Sequence, residues 1–351
     1  MAERIWRIAV NGVCPDGVNA VLPVPKQPCM AMKGWICLLV FACVSKNFCC
    51  TLLDMGSTLI NHHICLIIKF SQMVNLNGTL LPALPEPLQL AQRGLWYGDG
   101  LFETIRVFGG KIPLMQQHWA RLEMGLLAMR YALPAEWSAE FFRAEILRIA
   151  PANARVRLSV WRSPGGLYAP TDSAPQFLLT AQALDSDVFV WHEQGVSIGF
   201  CQSVRLPVDA LSGLKAPNAP RYVAAALEAR ERGWDDAVLL NGFDRVCEAV
   251  SSNIVWITGG TVVTPPLSEG PVTGVLRGLL PLLTARIGLR YAEKTAQPTD
   301  LLAADELLLT NAVSGIRWVR SCEGTVFKNT QTARLHQALV EHLAALAGGF
   351  G

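Results

Sequence analysis

From residue 73 onward the hydrophobic positions switch repeatedly between a two-residue and a helical period, which predicts alternating strands and helices. Val156, Leu158 and Val160 interleave with Arg155, Arg157, Ser159 and Trp161, the pattern of a strand with one face buried. Trp119, Leu122, Leu126 and Met129 recur at helical spacing, which predicts a helix with Arg121 near its start. Apolar runs predict strands over 176–180, 188–191, 237–240 and 253–258, and a helix over 221–232. A last helix is predicted from Leu335, Leu339, Leu343 and Leu346, which share one face. Pro164, Gly165 and Gly166, and the stretch 173–175, mark loops, while Asp185, Ser186 and Asp187 mark a connection between two α/β units. The boundary is expected near 185–195, giving a small unit over 73–190 and a larger one over 191–351.

Residues 1–72 read differently. They hold seven of the ten cysteines (Cys14, Cys29, Cys37, Cys43, Cys49, Cys50 and Cys65) and keep no sustained period. Their uncharged stretches, 34–45 and 55–68, are shorter than the ~18–20 residues needed to cross a bilayer. Pro15, Pro23, Pro25 and Pro28 interrupt any signal-peptide core, and the cysteines lack zinc-ligand spacing. The segment is expected to be an atypical extension rather than a folded domain, with Met73 opening the first strand and turn.

The chain as a whole has the composition of a globular protein: 351 residues, 51% hydrophobic, 17% charged, net charge +2. No basic run or aromatic-basic interleaving argues for nucleic acid, no segment argues for a membrane, and no metal site is expected. Cys201, Cys247 and Cys322 are scattered, as in a reducing cytoplasm.

The chemistry centres on Lys215, in the stretch SGLKAPN (212–218), and on Glu248, thirty-three residues later in VCEAVSSNI (246–254). An amine and a distant carboxylate are what a pyridoxal phosphate site needs: one to condense with the cofactor aldehyde, the other to keep the pyridine nitrogen protonated. Alone neither residue proves anything, since most lysines and glutamates are solvated surface charges.

Their company is more specific. RGLWYGDGLFETIRVF (93–108), HWARL (118–122), Lys215 with Asn218, Glu248 with Ser251, Ser252 and Asn253, VTGVLR (272–277) and TNA (310–312) resemble, in order, the signatures of the class IV pyridoxal-phosphate aminotransferase family. The resemblance covers residues 73 to about 350 and implies an α/β (α+β), two-domain fold of the D-amino acid aminotransferase-like type. It implies pyridoxal 5'-phosphate as cofactor, Lys215 as the catalytic residue, Arg121 and the amides of Val275 and Leu276 on the phosphate, and Val272 against the ring. Asn311 and Ala312 match a second phosphate loop, Ala312 contributing backbone only. Gly98, Asp99 and Gly100, by default a tight turn with left-handed (φ > 0) glycines, are implied to shape the wall of the site. Arg106 and Arg162, each beside a matched block, are candidates for a substrate carboxylate, because a guanidinium forks onto carboxylates. Family members generally work as homodimers.

Finer features divide the family. Branched-chain aminotransferases typically carry Phe-Glu-Gly where this chain has Phe102, Glu103 and Thr104, and a tyrosine where it has Pro220. Asn218, the 272–277 block and the 310–312 block instead resemble 4-amino-4-deoxychorismate lyase, which releases pyruvate and leaves 4-aminobenzoate for folate synthesis. Pro220, in Asn218-Ala219-Pro220-Arg221, departs from that pattern as well. Phe108 stands where D-amino acid transaminases tend to have a carboxylate-holding tyrosine. Lyase and transaminase both stay open at this point, as does a catalytically silent homologue that keeps only the architecture.

Overall fold

The computed structural model describes residues 74–81 and 93–348. The expectations for the extension at 1–72 lie outside them.

The first sheet is antiparallel throughout and opens on a hairpin, β1 (Val74–Leu76) and β2 (Thr79–Leu81). Asn77 and Gly78 form its two-residue turn at φ 51° and 84°, the left-handed pair that such hairpins need. After a short helix α1 (Arg93–Trp96) come β3 (Gly100–Val107), α2 (Met115–Ala128), α3 (Ala139–Leu147), β4 (Ala154–Arg162) and β5 (Pro175–Ala183). Strand order is β2-β1-β5-β4-β3.

Pleating sorts β3 and β4 into two faces. Leu101, Ile105 and Val107 with Val156, Leu158 and Val160 join Trp119, Leu122, Leu126 and Phe142 of the helices in one core. Phe102, Thr104 and Arg106, opposite Ser159, Arg157 and Arg155 in register, face the other way. That second face becomes a wall of the site.

The second sheet is mixed and takes its strands from residues 196–326. They are β6 (Val196–Phe200), β7 (Asp236–Leu240) after helix α4 (Pro220–Glu231), β8 (Val246–Ala249), β9 (Asn253–Thr258) and β10 (Thr261–Thr264). After α5 (Leu280–Arg286) come β11 (Arg290–Glu293), α6 (Pro298–Leu302), β12 (Glu306–Asn311), β13 (Gly315–Cys322) and β14 (Thr325–Val326). The order is β11-β10-β9-β12-β13-β6-β7-β8, with β14 on β13. The last helix, α7 (Thr330–Gly348), lays Leu335, Leu339 and Leu343 on one face of this sheet, with Leu346 at the rim.

Three expectations need correction. Residues 188–191 form no strand: Phe189 is buried between exposed Val188 and Val190, so the alternation is real, but no neighbouring chain pairs with it. Arg121 lies in the middle of α2, not near its start. Of the glycines flanking Asp99 only Gly98, at φ 64°, is left-handed; Gly100 opens β3 and presses on Val160, where an added Cβ would sit 2.4 Å from the carbonyl oxygen. Cys201, Cys247 and Cys322 are free and buried. Among the described residues no helix is long and apolar enough to cross a membrane.

Candidate active site

Lys215 sits in an irregular loop whose backbone is tied on both sides. Its carbonyl accepts from the Phe102 amide (2.9 Å), and the Gly213 carbonyl accepts from the Thr273 amide (3.2 Å). Leu214 and Ala216 pack against the first core, so the side chain between them is directed rather than free. Nζ lies 4.6 Å from the centroid of the Phe102 ring. Burial, and next the Arg121 charge, push the amine below the usual lysine range, which favours the neutral, nucleophilic form.

Glu248 is deeply buried on β8, where three donors converge on its carboxylate. Tyr222 Oη donates to Oε1 (2.6 Å), while Asn253 Nδ2 (3.3 Å) and the Val272 amide (3.1 Å) donate to Oε2. Burial still outweighs these bonds and raises its pKa to about 7. The carboxyl group thus has hydrogen bonds but no ion pair among the described residues, the Lys215 and Arg121 charges acting on it only from a distance.

The turn after Val272 is shaped by close approach. A Cβ on Gly274 would lie 1.8 Å from Asn253 Oδ1, so only glycine lets that asparagine reach both Glu248 and the Val272 carbonyl (2.9 Å). A turn of 3₁₀ helix follows, Arg277–Leu279, leading into α5. No hydrogen bond among the described residues uses the amides of Val275 or Leu276. Arg121 reaches this turn from α2, Nη1 donating to the Thr273 carbonyl (3.0 Å).

At the end of β12 the Asn311 side chain is committed to the loop. Its oxygen accepts from the Val313 and Ser314 amides (3.0 and 2.7 Å), and its nitrogen donates to Ser251 and Ser252. Ala312 follows in the same turn, and the neighbouring Thr310 hydroxyl is buried with no partner among the described residues.

These segments border one cavity of about 930 Å³. It brings together Lys215, Glu248, Arg121, Val272, Val275, Leu276, Asn311 and Ala312 as the sequence led one to expect. The substrate candidates fare differently. Arg106 is spent on the carbonyls of Val313, Ser186 and Val188, and Phe108 packs edge-on against Phe189 at 5.1 Å; neither borders the cavity. Arg162 borders it, but its guanidinium is held by Asp99 (3.1 Å) and the carbonyls of Met129 and Arg130 (2.7 and 3.3 Å), over the Tyr131 ring. Its geometry is that of a strut.

Sequence reasoning missed other residues. Arg155 and Arg157 stand two apart on the cavity face of β4, with no carboxylate ion-paired to either among the described residues. Arg157 also lies 3.9 Å from the Phe102 ring. The alternation in β4 carried this signal; which face was the functional one it did not say. Tyr222, four residues beyond Asn218 of the lysine block, had no local signal at all.

Comparisons with known proteins place the chain in a family. The family model for amino-transferase class IV matches residues 100–322. An aminodeoxychorismate lyase of Vibrio harveyi is 30% identical over 65% of this chain and 84% of its own length. A putative branched-chain-amino-acid aminotransferase of Methanocaldococcus jannaschii is 28% identical over 76% of this chain and 94% of its own. The crystal structure of 4-amino-4-deoxychorismate lyase from Pseudomonas aeruginosa superposes with a TM-score of 0.66 at 30% identity, covering 77% of this chain and 98% of that one. In sequence and in fold the chain belongs to the class IV aminotransferases, a family of pyridoxal-phosphate-dependent enzymes.

Proposed function

We propose that the protein binds pyridoxal 5'-phosphate in this cavity and acts as a 4-amino-4-deoxychorismate lyase, forming pyruvate and 4-aminobenzoate. The residues fit that cofactor. A buried carboxyl group with no ion-pair partner among the described residues suits a protonated pyridine nitrogen, and unused amides at 275 and 276, the Arg121 guanidinium and the Thr310 hydroxyl suit a phosphate. When bound, pyridoxal phosphate supplies an aldehyde that takes up amines and a ring that withdraws electrons.

The chain's own groups then have distinct work. Lys215, its pKa lowered by burial, would hold the cofactor and afterwards take the proton from the substrate carbon that bears the amino group. Glu248, its carboxyl ordered at the cavity floor by Tyr222, Asn253 and the Val272 amide, would hold the proton on the ring nitrogen. Phe102 and the neighbouring apolar residues keep water from the amine. Arg155 and Arg157 draw in and orient carboxylates.

The observation that favours the lyase is that arginine-lined wall. The substrate of the lyase carries two carboxylates, and Arg155 and Arg157 offer unneutralised positive charge where a branched-chain amino acid would need an apolar pocket. The relatives from Vibrio harveyi and Pseudomonas aeruginosa support the same reading. The second reading is a class IV aminotransferase for branched-chain or D-amino acids, favoured by the Methanocaldococcus relative. Exposed Leu95, Trp96, Leu167 and Tyr168, grouped by the Arg93 contacts to the 165–168 carbonyls, support a homodimer. The three cysteines among the described residues, all free, suit a cytoplasmic setting.

Incubation with aminodeoxychorismate, and separately with amino acids plus 2-oxoglutarate, tests the assignment. Pyruvate and 4-aminobenzoate in equal amounts are expected; amino-group exchange without 4-aminobenzoate would replace the lyase by the transaminase.

A further inference from the structure

Glu103 occupies an unusual place. On β3 it points to the core side, between Leu101 and Ile105, and only 1% of it is exposed. A carboxylate there is costly to bury unless it is fully paired. The partners come from one helix: His118 Nδ1 lies 2.7 Å from Oε2, and Arg121 engages both oxygens, through Nε (2.7 Å) and Nη2. His118 and Arg121 are three apart on α2, so their side chains lie on one face of it. Burial acting alone would raise the carboxyl pKa; the Arg121 charge and the bonds from His118 and Arg121 bring it down to about 2. An ionised carboxylate only accepts, so Nδ1 of His118 carries the proton.

Beyond Glu103 the chain of contacts continues into the site. Arg121 Nη1 donates to the Thr273 carbonyl, and the Thr273 amide donates to Gly213, two residues before Lys215. The guanidinium is thus fixed edge-on by Glu103 and at one tip by Thr273, with N–H groups left over at the cavity wall. A lone arginine on a helix would sample many rotamers. This one has a single orientation, and Glu103 sets it.

We propose that Glu103, supported by His118, is a positioning residue that presents the Arg121 guanidinium to the phosphate of the bound cofactor. The inference rests on the pyridoxal phosphate reading above. Glu103 touches neither cofactor nor substrate, and it acts only through Arg121.

The test compares two ligands that differ only in the phosphate. The full chain, freed of cofactor, is titrated with pyridoxal 5'-phosphate and separately with pyridoxal, following visible absorbance. In Glu103→Gln, affinity for the phosphorylated form should fall about 10- to 100-fold, the range for groups that orient ligand-holding side chains, while pyridoxal affinity stays within about threefold. Arg121→Ala should show the same selective loss, and the double variant should be no worse than Arg121→Ala. Glu103→Asp, which keeps the charge, should recover part of the preference.

Equal losses for both ligands, or additive losses in the double variant, would overturn the proposal in favour of a purely structural role. If Glu103→Gln does not fold, His118→Ala takes its place: a smaller selective loss restored by His118→Asn supports positioning, and an unchanged phosphate preference refutes it. A wild-type chain that binds neither form would instead refute the cofactor reading, whereas a wild-type preference that survives in Glu103→Gln removes only the role of Glu103.

Discussion

Tyr222 and Glu248 share a 2.6 Å hydrogen bond in which the phenol is the donor, because burial and the adjacent carboxylate both hold the phenol well above its ordinary pKa. The bond links α4 to β8 at the cavity floor and is one of the forces opposing protonation of Glu248. In Tyr222→Phe the Glu248 pKa should therefore rise further above about 7, by roughly one unit. Turnover that requires the carboxylate should lose more at pH 6 than at pH 8, and the acidic limb of the pH–rate profile should move to higher pH. An unmoved limb would separate Glu248 from the rate-determining chemistry.

Lys215→Ala should abolish covalent retention of the cofactor after borohydride treatment, as read by mass spectrometry, and turnover with it. Because burial and the Arg121 charge lower the pKa of the Lys215 amine, trapping in the wild type should persist to lower pH than for a surface lysine. Wild-type stoichiometry of trapping in the alanine variant would move the assignment to another amine.

Gly274→Ala should weaken cofactor binding by about tenfold or more and cost about 1–3 kcal/mol of stability. The new methyl would meet Asn253 Oδ1 at 1.8 Å, and shifting that side chain breaks its bonds to Glu248 and the Val272 carbonyl. Cofactor titration and denaturant melts measure the two effects separately.

The two buried carboxylates give stability opposite dependences on pH. Glu103, lowered from 4.5 to about 2, stabilises the folded chain above pH 4.5, and that contribution, on the order of 3 kcal/mol, is lost as pH falls toward 2. Glu248, raised to about 7, is better tolerated protonated, so its contribution falls as pH rises from 4.5 through 7. Denaturation of wild type and Glu103→Gln between pH 3 and 6 should show their difference shrinking toward the acid end. A constant difference would mean that Glu103 is not ionised in the fold.

Periodicity and short blocks carried much of this protein in advance. The alternation of β4, the apolar stripe of α7 and the ordered blocks around Lys215, Glu248 and 272–277 depend on neighbours along the chain, and local spacing expresses such relations directly. The residues at 188–191 show the limit of that reading. They alternate as a strand should, but a strand exists only where a second chain supplies hydrogen bonds, and none lies beside them.

The roles of the arginines were decided by the tertiary structure. Arg106, Arg155, Arg157 and Arg162 stand on adjacent strands with the same chemistry, yet two are consumed by carbonyls and Asp99 while two face the cavity. Whether a guanidinium binds ligand or braces a loop depends on which acceptors from distant segments, such as 129–130, 186–188 and 313, fold against it. Glu103 follows the same rule: the sequence determined that a carboxylate stands fourth in β3, and only the packing of α2 gave it His118 and Arg121 as partners.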